Sequence, residues 1–268
     1  MTRTAISPRL AIRIFESTGE NLNGVTPPSA TIGESPAGWH VTHVAETGST
    51  NTDLMAAAAA GAPDRSVLVT AHQRAGRGRL DRTWDAPPGA NLLVSVLFRS
   101  GFDPANPHSL TQAVAVAAAR TVEALRGRRP DLKWPNDLLL DGAKLGGILA
   151  QSSLTAGQMY VVVGMGLNLG WAPPEAAHLA DVTPNEFLAA WLAALSDTIA
   201  SDCFEEYRSR VTTIGREVRV ELASETIHGQ VTNIRRDGSL IVETSGGLRT
   251  VSVGDVVHLR SPSVDGSN

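Results

Sequence analysis

Gln73-Arg74-Ala75-Gly76-Arg77-Gly78-Arg79-Leu80-Asp81-Arg82-Thr83-Trp84 is the stretch on which the reading of this chain turns. Arginines and glycines alternate here between two expected apolar strands, Val67–Ala71 and Leu92–Phe98. Glycines let backbone amides approach an anion closely, and guanidinium groups neutralise phosphate. Trp84 offers a flat face for a ring. The stretch is not a Walker A loop, because no Gly-Lys-Ser/Thr follows, and it does not open a helix with Gly-x-Gly-x-x-Gly. Alone it reads equally as an anion site or as a solvated basic loop or RNA-touching segment.

Working outward, Trp39–Ala45 reads as a strand, and Ser49-Thr50-Asn51 supplies capping side chains to a helix running through Ala60. A longer Ala-rich helix is expected over Ser109–Arg126. Leu132–Trp134 and Leu138–Leu140 flank Pro135-Asn136-Asp137, and Asp141-Gly142 is a hairpin turn leading to a return strand at Leu145–Ala150. Gln158–Val163 is a further strand. Thr183-Pro184-Asn185-Glu186 is a capping box, and the helix it starts carries Phe187, Leu188, Trp191, Leu192, Leu195 and Ile199 on one face. After Ile214 the pattern becomes short strands only, Glu217–Glu221, Gly229–Ile234, Leu240–Glu243, Leu248–Val253 and Val256–Leu259. These suggest a small all-β barrel. Residues 1–38 are broken by Pro and Gly and read as a poorly ordered extension, with Leu10, Ile12, Ile14 and Phe15 as a short strand or helix. Residues 39–213 form the main domain, 214–260 the β domain and 261–268 a frayed tail.

Composition narrows the function classes. The net charge of -4 over 268 residues gives no global field for nucleic acid or an anionic membrane, so any basic site is local. No apolar run approaches a membrane span, and no signal-peptide core stands at the N-terminus. The single Cys203 excludes an internal disulfide and a Cys-rich zinc site, and it reads as a partly buried helix residue in a cytoplasmic protein. Lysine occurs only at Lys133 and Lys144, and every other one of the 23 Lys and Arg residues is arginine. A GC-rich genome accounts for the arginines but not for where the two lysines stand. An ammonium and a guanidinium are not interchangeable at a tight site, so both lysines are functional candidates.

Each lysine sits in a motif. Lys133-Trp134-Pro135-Asn136-Asp137 packs a cation, an amide and a carboxylate into one turn; the plainer reading is a hairpin with a charged tip. Lys144-Leu145-Gly146-Gly147-Ile148-Leu149 brings a lysine into a strand whose small residues permit close approach of a ligand. Gly164-Met165-Gly166-Leu167-Asn168 is a glycine-bearing strand end suited to a nucleotide passing nearby.

Taken in order, these motifs resemble the biotin protein ligases. That family's pattern has Ser-Thr-Asn, then Gln-x-Ala-Gly-Arg-Gly-Arg with a following Trp, then Lys-Trp-Pro-Asn-Asp, Lys-Leu-x-Gly-Ile-Leu and Gly-x-Gly-x-Asn. The resemblance spans about residues 39–260. It implies an α+β fold: a mixed sheet with helices like class II aminoacyl-tRNA synthetases, plus a small C-terminal SH3-like β-barrel, in the short class without a DNA-binding domain. It also implies a two-step ligase that makes biotinyl-5′-AMP from biotin and ATP with Mg²⁺, then biotinylates a lysine of an apo biotin carboxyl carrier domain of a carboxylase. Nucleic acid and membrane are not implied partners, and the oligomeric state is left open.

By the same resemblance, Ser49, Thr50, Asn51, Gln73, Gly76, Arg77, Gly78, Arg79 and Lys144 contact biotin. Arg79, Arg82, Trp84, Lys133, Asn136, Lys144 and Asn168 contact ATP or the adenylate. Lys144, Arg79, Lys133 and Asp137 carry catalysis, with Asp137 also the Mg²⁺ ligand and the candidate base. The chain departs from the pattern at Leu80-Asp81, where relatives often carry Arg-Gly, and at Gln151, where many carry Glu. Asp tolerates left-handed backbone, which lets the loop close. The rival readings are a lipoate-type ligase of the same superfamily, a nucleic-acid-binding module and a purely structural carrier-docking protein.

Overall fold

The computed structural model describes residues 13–15, 31–32, 38–155, 157–222, 224–252 and 254–258. The rest of the 1–38 extension, Leu259, Arg260 and the 261–268 tail lie outside the described residues. Two parts of the extension are strands of the main sheet, β1 (Arg13–Phe15) and β2 (Thr31–Ile32).

The main sheet is mixed and has nine strands. From β2 it runs through β3 (His40–Thr47), β4 (Ser66–Gln73), β5 (Leu92–Phe98), β9 (Gln158–Leu167), β8 (Ala143–Thr155), β7 (Asp137–Leu140) and β6 (Asp131–Lys133), and β1 pairs with β8 in parallel. Period-two alternation assigns its two faces. Leu92, Val94, Val96 and Phe98 of β5 and Val161 and Val163 of β9 join the large core, together with α2 (His108–Arg126) and α3 (Pro184–Ile199). Leu97 of β5 and Tyr160 and Val162 of β9 pack instead with Leu54 and Ala58 of α1 (Thr50–Ala59). Ser95 therefore falls on the α1 side, in step with Leu97. This continuously apolar, fully buried β5 is what a strand covered on both faces requires.

The capping box forms as expected: the Thr183 hydroxyl accepts from the Glu186 N–H, and the Glu186 carboxylate accepts from the Thr183 N–H. Leu188, Trp191, Leu192 and Leu195 are buried beneath it. A helix the sequence did not suggest, α4 (Phe204–Arg210), follows α3. Its Arg210, almost fully buried, donates to Glu123 of α2 and to Glu206 within α4, which ties the two helices together. Cys203 lies buried just ahead of α4, and burial pushes its thiol pKa up, keeping it protonated.

The second sheet is five-stranded and antiparallel, in the order β13 (Gly247–Val251), β12 (Leu240–Thr244), β11 (Thr226–Ile234), β10 (Glu217–Glu221) and β14 (Asp255–His258). Its alternating Val218, Val220, Val231, Leu240 and Val242 are buried. It docks on the main domain where Trp134 Nε1 donates to the Gly238 carbonyl at 2.7 Å. The Gly238 turn lies so close to the His108 ring that an added Cβ would meet it at 2.0 Å. Among the described residues, no helix is long and apolar enough to cross a membrane.

Candidate active site

A cavity of about 260 Å³ opens between the two sheets. Its floor is the start of α1, the end of β4 and the middle of β8 and β9. One wall is the turn between β6 and β7. Its cover is the loop 74–84, and Val256 of β14 closes one side. Thirteen of the expected residues line it: Ser49, Thr50, Asn51, Gln73, Arg77, Gly78, Arg79, Arg82, Trp84, Lys133, Asn136, Asp137 and Lys144. Five of these are cations, and Asp137 is the one carboxylate among the lining residues, so the site is electropositive in a chain of net charge -4.

The start of α1 corrects one expectation. Ser49 occupies the cap position but its side chain caps nothing, and Ser49, Thr50 and Asn51 are all buried. The polar side chains turn inward instead, to a network beneath the cavity. The Asn51 amide donates from Nδ2 to the Leu149 carbonyl at 3.0 Å and to Gln151 Oε1 at 3.1 Å. Its Oδ1 takes the place a Cβ would need at Gly164, 2.1 Å from it. The Ser95 hydroxyl reaches Asn51 Oδ1 at 2.6 Å and Thr50 Oγ1 at 2.7 Å. The Thr50 hydroxyl and N–H reach Gln73 Oε1 at 3.0 and 2.8 Å.

The orientations of both amides follow from their partners, since Leu149 O only accepts and the Thr50 N–H only donates. Three oxygen–oxygen contacts join Asn51, Ser95, Thr50 and Gln73, and only the Ser95 and Thr50 hydroxyls bring protons to them. One of these contacts therefore carries no proton of its own, while the Thr50 N–H already serves Gln73 Oε1 and Gln73 Nε2 keeps its N–H groups for other partners.

The cover is a β-hairpin. Arg77 bridges to Thr83, the Gly78 N–H donates to the Arg82 carbonyl at 2.7 Å, and the Arg82 N–H donates to the Arg79 carbonyl at 3.1 Å. Leu80 and Asp81 both have positive φ, 54° and 58°, which makes the tip a type I′ turn. The left-handed backbone expected of Asp81 is present, and Leu80 shares it. The hairpin is fixed at two points. Arg79 Nη2 donates to the Gly254 carbonyl of the second sheet at 3.0 Å. Trp84 lies over Gly166 and Gly147, where an added Cβ would come within 2.4 and 3.2 Å of its ring. Trp84 Nε1 is buried and has no hydrogen-bond partner among the described residues.

Lys144 holds the centre. Its Nζ lies 2.7 Å from Asp137 Oδ1 and 5.6 Å from the Trp84 ring centroid. Asn136, between cis-Pro135 and Asp137, donates from Nδ2 to the Ile148 carbonyl at 2.9 Å and accepts from the Ile148 N–H at 2.9 Å. That locks the wall to β8. No group of three or more His, Cys, Asp or Glu suited to a metal occurs among the described residues. Asp137 alone still suits Mg²⁺, which binds through one or two carboxylates with phosphate oxygens and water.

Two expected contacts lie off the cavity. Asn168 is buried behind it, donating from Nδ2 to the carbonyls of Ala177 at 3.0 Å and Lys144 at 3.4 Å and accepting from Asn91 at 3.3 Å. Its amide is spent on holding the backbone of Lys144. Gly76 is a close-approach glycine instead of a lining residue: a Cβ there would meet the Trp84 carbonyl at 2.2 Å and Gln73 Nε2 at 3.0 Å. Gly147 and Leu149 of the Lys144–Leu149 motif and Gly164 and Gly166 of the Gly164–Asn168 motif line the site as well, whereas Val256 was not singled out. Ser95 supports it from below, its one sequence signal being a lone hydroxyl in an apolar strand.

Known proteins point the same way. Residues 45–168 match the biotin/lipoate A/B protein ligase family, and residues 213–259 match the biotin protein ligase C terminal domain. The chain is similar to a biotin–[acetyl-CoA-carboxylase] ligase of Mycobacterium tuberculosis, 39% identical over 246 residues, covering 84% of this chain and 91% of that one. It is also similar to one of Paracoccus denitrificans, 29% identical, covering 80% and 98%. The fold matches a biotin protein ligase from Aquifex aeolicus in complex with biotin and ATP, with a TM-score of 0.69 at 24% identity, covering 82% of this chain and 99% of that one. With the motifs assembled around one cavity and the Mycobacterium relative matched over nearly its whole length, the chain belongs to the biotin protein ligase family.

Proposed function

We propose that biotin and ATP meet in this cavity and react in two steps. The biotin carboxylate oxygen attacks the α-phosphorus, the bond to the β-phosphate oxygen breaks, and pyrophosphate leaves biotinyl-5′-AMP. A lysine amine of an apo carboxyl carrier domain then attacks the acyl carbon, the acyl–phosphate C–O bond breaks, and AMP departs as an amide forms. The observation that carries the reading is the buried polar floor of Ser49, Thr50, Asn51 and Gln73 beneath a cationic mouth. A ureido ring brings two N–H groups to such a floor. The dithiolane of lipoate brings none, and unpaired buried polar atoms cost about 1–3 kcal/mol each.

The roles divide by depth. Thr50, Asn51 and Gln73 orient the ring end, with Ser49 beside them. Lys144 stands where the carboxylate and the α-phosphate converge, so it draws two anions together and offsets charge on the transferred phosphorus. Arg77, Arg79, Arg82 and Lys133 hold the remaining phosphate charge, and Mg²⁺ held at Asp137 would shield the same oxygens. Trp84, seated on Gly147 and Gly166, walls the nucleotide. In the second step the acceptor lysine starts as an ammonium with pKa about 10.4. Asp137, the one lining carboxylate, receives its proton.

The test is direct. The protein, ATP, Mg²⁺, labelled biotin and an apo carrier domain are incubated together, with lipoate in a parallel arm. Labelled carrier is the expected product. Absence of both label and biotin-dependent pyrophosphate exchange overturns the reading, and transfer of lipoate alone replaces it with the rival.

A further inference from the structure

We propose that Gln151 and Ser95, neither of which lines the cavity, are positioning residues for acid recognition: they fix Asn51 and Thr50 so that Asn51 meets the ligand with its oxygen as an acceptor. The proposal rests on the reading of this floor as the biotin end of the site.

The geometry assigns each a separate task. Asn51 has two N–H groups and one carbonyl oxygen to place. Leu149 O takes one N–H, and Gln151 Oε1, on the same strand two residues on, takes the other. With both donors spent, Asn51 turns only its oxygen toward Ser95 and the cavity. The amide has no room to swing, because Oδ1 already fills the space beside Gly164. Without the Gln151 oxygen, one buried N–H is left unpaired and the amide loses one of the two bonds that aim its oxygen, so the acceptor offered to the ureido N–H is no longer fixed.

Ser95 does the complementary work. Fully buried on β5, it joins the Asn51 and Thr50 oxygens at 2.6 and 2.7 Å with a single proton. It thereby links the Asn51 end of the network to Gln73 at the root of the hairpin cover.

The experiment compares Gln151→Leu, Gln151→Glu and Ser95→Ala in the full chain, reading biotin-dependent pyrophosphate exchange and melting temperature. Gln151→Leu and Ser95→Ala are each expected to raise KM for biotin about tenfold, the equivalent of leaving one buried polar group unpaired. KM for ATP and kcat stay within about twofold. Gln151→Glu keeps the acceptor and keeps KM for biotin near that of the parent. If Gln151→Leu leaves KM for biotin unchanged, or shifts kcat and both KM values together, or if Gln151→Glu is as impaired as Gln151→Leu, the positioning role is wrong. Should Gln151→Leu not fold, Ser95→Ala carries the same KM-against-kcat comparison, and an unchanged KM for biotin there overturns the proposal. A parent protein inactive with biotin defeats the reading of the site itself, whereas an active parent with unaltered variants defeats only this inference.

Discussion

Lys144 Nζ lies 2.7 Å from Asp137 Oδ1, across the register step between β7 and β8 where the pairing slips between Leu138 and Leu139. The irregularity re-aims the strand so that the lysine and the carboxylate share one side of the cavity. Each is half-shielded and holds the other in place before any phosphate arrives. Substituting Lys144→Ala removes the charge that offsets the reacting anions, and a loss of about 10²–10³-fold in pyrophosphate exchange is expected. Lys144→Arg does not restore it, because a planar fork does not replace a compact ammonium beside Asp137. Exchange rates at saturating ATP and biotin check both. Unchanged exchange in Lys144→Ala would remove the lysine from the chemistry.

Gly166 is expected to be as intolerant as any catalytic side chain. A Cβ there enters the Trp84 ring at 2.4 Å, and the same ring is also packed against Gly147. Gly166→Ala should therefore displace Trp84, raise KM for ATP by at least about tenfold and leave the secondary structure intact. Tryptophan fluorescence of the variant, against KM for each substrate, separates a moved ring from a collapsed sheet.

The hairpin cover carries a cost in its turn. Two consecutive non-glycine residues with positive φ, one of them Leu80, are strained by roughly 1 kcal/mol or more. Exchanging Leu80-Asp81 for Asn-Gly suits a type I′ turn. The double variant should hold the cover closed longer, so that release of preformed biotinyl-5′-AMP slows about threefold or more. A rapid-dilution release assay reads this, and release as fast as the parent's would show that the turn does not govern the cover.

His108 predicts how the two sheets respond to acid. Burial, with the Arg79 cation adding to it and Asp237 opposing, lowers its pKa from the ordinary 6.5 to about 4. The unfolded chain takes up this proton below pH 6.5 and the folded one refuses it until about pH 4. Stability is therefore full above pH 6.5 and is lost as the pH falls through that window, by ~3 kcal/mol in all. His108→Phe keeps a ring between Tyr207 and the Gly238 turn but removes the titration. Unfolding free energies from urea titrations at pH 7 and pH 5 should differ less in the variant than in the parent by ~2 kcal/mol. Equal differences would place the acid sensitivity elsewhere.

The parts of the site legible in the sequence were those marked by composition. Lys133 and Lys144 stood out because the chain otherwise uses arginine, and both line the cavity. Short apolar runs marked β5 and β9, and the Thr183–Glu186 capping box marked α3. What stayed hidden depended on contacts distant in sequence. Ser49-Thr50-Asn51 looks like a helix cap locally, yet its side chains answer to Ser95, Leu149 and Gln151. Leu80-Asp81 does not advertise a type I′ turn as Asn-Gly does, so the hairpin was read as open loop. Asn168 sits in a nucleotide-like motif, but its amide is consumed by the Lys144 and Ala177 carbonyls. The short α4 lacked a long apolar period and is held by the Arg210 charge cluster instead.

The bond from Arg79 to the Gly254 carbonyl has a consequence for biosynthesis. The cover is translated early and its catch very late, some 175 residues apart along the chain. A nascent chain still on the ribosome can assemble the main sheet, Lys144 included, while its cover is held only by Trp84 over Gly147 and Gly166. Adenylate made at that stage would leak away into the surrounding water instead of waiting for an acceptor. Enzymatic competence thus arrives with nearly the last strand to emerge, and any premature stop before residue 254 yields a product that has the chemistry's residues but not the means to retain its intermediate.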